Sequence, residues 1–572
     1  MEGSIFNGER AVVVAFVTRI LFSVPISLIY EGFSLSLLAF AALFVEILAE
    51  NSTNPIGFKT RPGTSSGILL GAITLPSVML SRLIQLSRTI PTLDAEPSGI
   101  EYLNLQYWVV SASCFSVLVF LHSALTKSAN TTNFFNSRSV HSAAIISFAV
   151  LCAKTFTSPL AISNLALFTG LHTAAKLLWV LCHGIVAVKL IQHILHTFPL
   201  CSSVGEALLV TVGLVLYLGD MLAYTLVKID GISMFTKLAF PQYGMERSEI
   251  SIIIQGLVVG FLLFPILYKL ILRTGGYLTN YASGEDLAIE NTSKEIQRSL
   301  VFYSSLSLIL ILFVSAWMQF VHDFRIHPLS WVFNFVFSEP LKRLPLCLYW
   351  ISVICGSVLR FYNISKHSKI ERILLRKYYH LVAVLMFSPA LILQPNFLDL
   401  AFGAALAVFL LLEVIRVWKI WPLGKHVDHF MNAFTDHRDS DILIISHFSL
   451  LMGCALPKWM SSELNDRPFA PFAGILSLGI GDTMASMVGY KYGVLRWSKT
   501  GKKTIEGTAA GITSVLAACS VLLPLVASTG YVFSQHWVSL LFAVIMSGLL
   551  EAYTTQLDNV FIPLVFYSLL CL

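Results

Sequence analysis

The stretch Ile252-Ile-Ile-Gln255-Gly-Leu-Val-Val-Gly260-Phe-Leu-Leu-Phe-Pro265-Ile-Leu-Tyr268-Lys269-Leu-Ile-Leu272 runs for 21 residues with one charge, close to its end. A helix rises about 1.5 Å per residue, so about 20 apolar residues cross the roughly 30 Å hydrocarbon core of a bilayer. Runs of the same kind recur at Ala11–Tyr30, Gly67–Ile84, Trp108–Leu125, Leu208–Val227 and Leu300–Phe320. The pattern is that of many spans, not of one anchor.

Composition agrees. Of 572 residues, 56% are hydrophobic and 12% charged, with a mean hydropathy of +0.75, whereas a soluble domain carries about 25% charged residues. The net charge of +6 is spread over short loops and not gathered on an aromatic-studded surface, which argues against nucleic acid as a partner and makes the excess a topology signal. The nine cysteines lie mostly in apolar runs without a CxxC pair or histidines at metal spacing, and read as small buried hydrophobes. The first run follows Glu9 and Arg10 without a small-residue cleavage site, so it reads as a first span and not as a removed signal.

The longest polar stretches, Glu50–Ser66, Thr89–Gln106, Tyr281–Arg298, Tyr362–Tyr378 and Trp418–Asp441, are loop-sized. Open sheet leaves backbone polar groups unsatisfied in lipid. The expected fold is therefore all-α, a polytopic transmembrane bundle of roughly 15 spans, with Val140–Gly170 either one long helix or a bent pair. Residues 1–360 are chemically quiet. Asp220 and His172, His183, His193 and His196 are their main intramembrane polar groups, read as helix-pairing residues with a lipid-binding or scaffold role as the other reading.

Residues 361–572 differ. The runs Leu381–Leu393, Leu400–Val417, Ile442–Leu456, Phe472–Val488, Gly507–Val526, Trp537–Leu550 and Val560–Leu572 alternate, so loops Tyr362–Tyr379, Trp418–Asp441, Tyr490–Glu506 and Thr554–Asn559 emerge on one side. That side holds most of the region's lysines and arginines, Arg376, Lys377, Lys491, Arg496, Lys499, Lys502 and Lys503 among them, and the positive-inside rule makes it cytoplasmic. His380, Glu413, Asp482 and Glu551 lie at the same helix ends, and Asp436, Asp439, Glu506 and Asp558 in or beside the loops. Helix ends facing the cytoplasm are commonly just solvated. A carboxylate a turn inside an apolar run, as at Glu413, Asp482 and Glu551, fits that reading least.

The most specific segment runs from Leu478 to Thr508. Gly481, Ala485 and Gly489 recur every four residues, so a neighbouring backbone can come close; helix packing explains them but leaves Asp482 over. The basic loop Tyr490, Lys491, Gly493, Arg496, Trp497, Ser498, Lys499, Thr500, Gly501, Lys502, Lys503, Thr504 and Glu506 leads into a helix start, where ammonium, hydroxyl and free N–H groups suit a polyphosphate and Trp497 a base. The loop is no Walker A motif: Arg496 stands where the first glycine belongs and Lys503 where Ser or Thr should follow Lys502.

Five ordered elements, Arg376-Lys377-Tyr-Tyr-His380, Asp436-His-Arg438-Asp439-Ser440, Gly481-Asp482-Thr483, Lys502-Lys503-Thr504-Ile-Glu506-Gly507-Thr508 and Glu551-Ala-Tyr-Thr-Thr-Gln-Leu-Asp558-Asn559, resemble the dolichol kinase family. The resemblance covers Arg376 to the C-terminus. It implies transfer of the γ-phosphoryl group of CTP to the terminal hydroxyl of dolichol, on the cytosolic face of the endoplasmic reticulum, giving dolichyl phosphate for glycosylation. On this reading Lys502, Lys503 and Arg496 clamp the triphosphate, Asp482 and Asp558 hold Mg2+, and His380 or a carboxylate orients the hydroxyl. Arg376, Lys377, Glu413, Asp436, Asp439, Glu551 and Asn559 support them. Ser498-Lys499-Thr500-Gly501 is longer than the link usual in the family, which leaves the register before Lys502 open. Two rivals stand beside it: a CDP-diacylglycerol-synthase-type cytidylyltransferase, which shares the Lys-Lys-Thr-x-Glu-Gly element, and a transporter or scaffold, which leaves that element without a task. Sequons stand at Asn51, Asn130, Asn291 and Asn363, and glycosylation of Asn363 would overturn the topology.

Overall fold

The structure, a computed structural model, describes residues 7–51, 58–89, 98–128, 166–229, 247–274, 288–367, 372–432, 443–461, 467–497, 502–527 and 537–572. In chain order the helices are α1 (Gly8–Leu21), α2 (Ile29–Asn51), α3 (Ile68–Thr89), α4 (Ser98–Ser128), α5 (Ala166–Thr197), α6 (Val204–Lys228), α7 (Glu249–Thr274), α8 (Ala288–Leu308), α9 (Ser315–Val321), α10 (Pro328–Ser338), α11 (Pro340–His367), α12 (Arg372–Leu393), α13 (Pro395–Trp418), α14 (Gly424–Asn432), α15 (Ile445–Met460), α16 (Thr483–Tyr492), α17 (Ile505–Ala527), α18 (Trp537–Tyr553) and α19 (Asp558–Leu570). Wider π-turns at Ile309–Val314 and Ile475–Asp482 join α8 to α9 and lead into α16.

Among the described residues there is no strand, only an isolated bridge between Arg496 and Thr504, so the all-α expectation holds. Ten of the described helices are long and apolar enough to cross a membrane, and three more are apolar but shorter. The chain is a multi-pass membrane protein with somewhat fewer clear spans than the roughly 15 counted from hydropathy. The ambiguous Val140–Gly170 stretch lies almost wholly outside the described residues.

Packing sorts the chain into two units interleaved in sequence: Met1–Glu246 with Phe361–Ser388 and Met452–Leu572, and Arg247–Arg360 with Pro389–Leu451. In the first unit α3 is the most enclosed span, 94% of its apolar window lying inside the protein. It packs on α1, α2, α4, α6 and α19. Helix α19 is buried from Phe561 through Leu570, with no exposed face. A helix apolar on all sides needs protein or lipid around it; here α3 supplies part of that cover, and Ser81 and Ser568 meet at 2.6 Å across the contact.

Asp220 pairs helices as its sequence suggests, accepting hydrogen bonds from Tyr102 Oη at 2.6 Å and Gln106 Nε2 at 3.1 Å. His183 Nδ1 lies 2.7 Å from the carbonyl of Trp179, one turn back. Cysteines 114, 201, 454, 519 and 571 are buried, but Cys182 and Cys355 are exposed on helix surfaces, contrary to the expectation for all nine. Both lie in candidate spans, where lipid and not protein covers an apolar face. Cys152 lies outside the described residues.

In the second unit α7 and α13 pack together. Tyr268, Phe264, Phe302 and Trp418 form a ring cluster with centroid separations from 5.1 to 6.2 Å. At these offset and edge geometries each aromatic pair adds about 0.5–1.5 kcal/mol beyond burial.

Candidate active site

Lys377 and His380 lie three residues apart on α12, and that spacing puts them on one face of the helix. Asp482 closes the π-turn Ile475–Asp482 that leads into α16. Such turns shift the side-chain register along a helix and recur at functional sites. Close approach of the two elements depends on Gly479, where a Cβ would sit 2.2 Å from Val384 Cγ2. Asp482 Oδ2 accepts from the Lys377 ammonium and lies 3.1 Å from His380 Nδ1. All three are at most 3% exposed. A buried carboxylate is tolerated when it is paired and hydrogen-bonded, and Lys377 and His380 meet that condition.

The small-residue face seats α16 against α17. A Cβ on Gly507 would come within 2.5 Å of the Ala485 carbonyl and 3.1 Å of Gly489 Cα, and one on Gly511 within 2.9 Å of the Gly481 carbonyl. Between α16 and α17 the chain folds back on itself: Trp497 N donates to the Lys503 carbonyl at 3.2 Å, and Ile505 N to that of Leu495 at 2.8 Å. Thr504 caps α17, its Oγ1 accepting from Gly507 N at 3.2 Å. Both carboxylate oxygens of Glu506 accept from Leu495 N, at 3.0 and 3.2 Å. Trp497 donates its indole N–H to Thr508 Oγ1 at 2.9 Å and its ring lies 5.3 Å from that of Tyr553. Glu506 and Trp497 thus brace the hairpin from inside, while Tyr490, Lys491, Arg496 and Lys502 are exposed and Gly493 half-buried. Ser498, Lys499, Thr500 and Gly501 lie outside the described residues.

Lys503 turns the other way. Its ammonium lies 2.9 Å from Glu551 Oε1 and also donates to the Glu551 carbonyl. Desolvation pulls the lysine pKa down, but the charges of Glu551, Asp558 and Asp482 outweigh it and hold the group above the ordinary lysine value. Asp558, buried at the first turn of α19, accepts from Asn559 N at 3.1 Å. Asp482, Glu551, Thr508, Ser547 and Ser477 provide the polar lining of a cleft that continues over Ile512, Val515, Val544, Ile562 and Phe566. Two carboxylates, hydroxyl groups and an apolar floor therefore share one cavity.

Among the described residues no three or more His, Cys, Asp or Glu side chains gather at metal-binding geometry. Magnesium is commonly held by one or two protein carboxylates with substrate phosphates and water completing its shell. Asp482 and Glu551 on one cleft fit that requirement.

Glu413, in the second unit, makes a two-point pair with Arg416 at 2.7 and 2.9 Å and accepts from Ile444 N at 3.0 Å. Arg376 belongs to α12. Asp436 and Asp439 lie outside the described residues. Two pairings escaped the sequence reading. Lys377 meets Asp482, for which Lys-x-x-His at an apolar helix start is the only local signal; Lys503 turns to Glu551, which no local pattern announces because the partners are 48 positions apart.

A sequence model of the family described as Dolichol kinase matches residues 170–523, a range that holds Lys377, His380, Asp482 and the hairpin but stops short of Glu551 and Asp558. Over the whole chain and 99% of the relative's length, the sequence is 57% identical to the Arabidopsis thaliana protein named dolichol kinase EVAN. It is 29% identical to human dolichol kinase over 68% of each chain. It is 36% identical to dolichol kinase sec59 of Schizosaccharomyces pombe over 42% of this chain and 50% of that one. No solved structure matches.

Proposed function

The chain belongs to the dolichol kinase family, and we propose that it transfers the γ-phosphoryl group of CTP to the terminal hydroxyl of dolichol at the cytosolic face of the endoplasmic reticulum membrane. The observation that carries this reading is the cleft: acidic and hydroxyl-lined at Asp482, Glu551 and Thr508, apolar over Ile562 and Phe566. An isoprenoid alcohol has that same division, one hydroxyl on a long hydrocarbon.

Phosphoryl transfer asks the protein mainly to position the reactants in line and to stabilise charge. Exposed Arg496 and Lys502 on the hairpin, with the N-terminus of α17 behind them, suit the triphosphate. Lys503, braced by Glu551, sets the inner end of that positive path. Asp482, Glu551 and Asp558 are the carboxylates available to Mg2+, which when bound neutralises phosphate charge. His380, 3.1 Å from Asp482 Oδ2, or one of the carboxylates would orient the dolichol hydroxyl and take up its proton as the oxygen attacks.

The test is direct. Protein purified in detergent is given magnesium, dolichol and CTP labelled at the γ or the α phosphate. Label in the lipid from γ-labelled CTP, with CDP as the other product, is the expected result. Pyrophosphate release with α label in the lipid would establish the cytidylyltransferase reading instead. An Asp482→Asn protein that inserts, folds and phosphorylates dolichol at the normal rate would remove that residue from the scheme.

A further inference from the structure

Glu551 and Asp558 stand at the two ends of one short turn, the link between α18 and α19. What holds that turn comes from far away in sequence. Leu557 N donates to Glu206 Oε1 at 2.7 Å, and Arg61 Nη2 lies 2.5 Å from the same oxygen. Glu206 is itself fixed by a reciprocal cap at the start of α6: Ser203 N donates to Glu206 Oε2 at 2.9 Å and Glu206 N to Ser203 Oγ at 3.1 Å. The Ser203 hydroxyl then donates to Gln556 Oε1. Gln556 Nε2 donates to the Ser65 carbonyl at 3.0 Å and lies 2.9 Å from its hydroxyl. Ser65 N donates to Thr555 Oγ1 at 3.1 Å. Three successive turn residues, 555 to 557, are thus each tied to the segment 61–206.

Packing closes the same contact. Gly67 has φ +63°, and a Cβ there would sit 2.4 Å from Gln556 Cδ; a Cβ on Gly8 would sit 2.3 Å from the Tyr553 ring. Gln556 is 1% exposed, Glu206 3% and Arg61 6%. A buried network of this kind holds one geometry, because any displacement strands desolvated donors and acceptors. Its target is the turn flanked by Glu551 and Asp558, two carboxylates of the proposed site.

We propose that Ser65, Ser203, Glu206 and Gln556 are positioning residues, through which the N-terminal helices set the placement of Glu551 and Asp558 for the phosphoryl transfer. The inference rests on the kinase reading above. It gives the chemically quiet N-terminal region a task in the reaction: it is a clamp on the last turn of the site.

The test uses full-length protein in detergent and compares wild type with Gln556→Met, which keeps volume and loses the hydrogen bonds, and with the pair Ser203→Ala and Ser203→Thr. The readouts are kcat, KM for CTP, the magnesium concentration at half activity, and monodispersity with thermal stability. A misplacement of about 1 Å costs on the order of 100-fold in rate. Gln556→Met and Ser203→Ala should therefore lose about 10- to 100-fold in kcat, with a raised magnesium requirement and KM for CTP within about two-fold; Ser203→Thr, which keeps the hydroxyl, should recover most of the rate. Variants that are less heat-stable yet keep wild-type kcat and magnesium dependence would overturn the proposal, leaving the network a purely structural one. Should Gln556→Met fail to fold, Ser65→Ala at the half-buried edge is read by the same criteria. Wild-type protein that does not phosphorylate dolichol would instead overturn the kinase reading, and this inference with it.

Discussion

Replacing Lys377 by methionine removes the ammonium from the Lys377–Asp482 pair and keeps most of the side-chain volume. Both partners are at most 3% exposed, so the carboxylate left behind gains no solvent. Breaking a buried ion pair from one side costs about 3–5 kcal/mol. His380 still lies 3.1 Å from the same oxygen, which puts the expected cost at the lower end, about 3 kcal/mol. Removing both charges together, in Lys377→Met/Asp482→Asn, leaves no buried ion and should restore most of that loss, since an apolar or neutral replacement of a whole pair is often close to neutral. A double-mutant cycle on unfolding free energies in detergent reads the coupling directly, with independent sites adding to within about 0.5 kcal/mol. Activity separates from stability here: the double variant should be stable yet inactive. A coupling below about 0.5 kcal/mol would refute the pair as an energetic unit. A double variant that transfers phosphate normally would refute the placement of Asp482 in the reaction.

Further outcomes follow from the same contacts. Lys503 titrates above the ordinary lysine value of about 10.4; its favourable charge interactions are present below that value and lost only as pH rises through the higher folded one. Activity should show no Lys503-dependent fall on the alkaline side below about pH 10, while Lys503→Met should abolish transfer at every pH, both read in a pH–rate profile. Glu506→Ala frees Leu495 N and loosens the hairpin, so KM for CTP should rise more than kcat falls, whereas Trp497→Phe, which loses only the bond to Thr508, should have the smaller effect; steady-state kinetics at varied CTP checks both. Gly507→Ala drives a methyl to within 2.5 Å of the Ala485 carbonyl and should destabilise by about 1–3 kcal/mol through overpacking, measured by thermal unfolding in detergent.

Composition and hydropathy alone determined the membrane class, the all-α architecture and most of the spans, because apolar length and backbone satisfaction in lipid admit few alternatives. The Gly481-Ala485-Gly489 face was legible too: spacing by four is a local property of a helix, and the structure packs it against Gly507 and Gly511. So were the hairpin's position and the acidic character of the turn before α19. Tertiary structure alone decided the pairings. That Lys503 faces Glu551 while Arg496 and Lys502 face outward, that Lys377 neutralises Asp482, and that Ser65, Ser203 and Glu206 grip a turn 350 to 490 positions further on depend on which helices meet. Apolar spans carry almost no address for their neighbours, since lipid and protein are equally apolar surroundings for them. The few polar groups state only that a partner is needed, and the packing of small residues and buried hydrogen bonds chooses it.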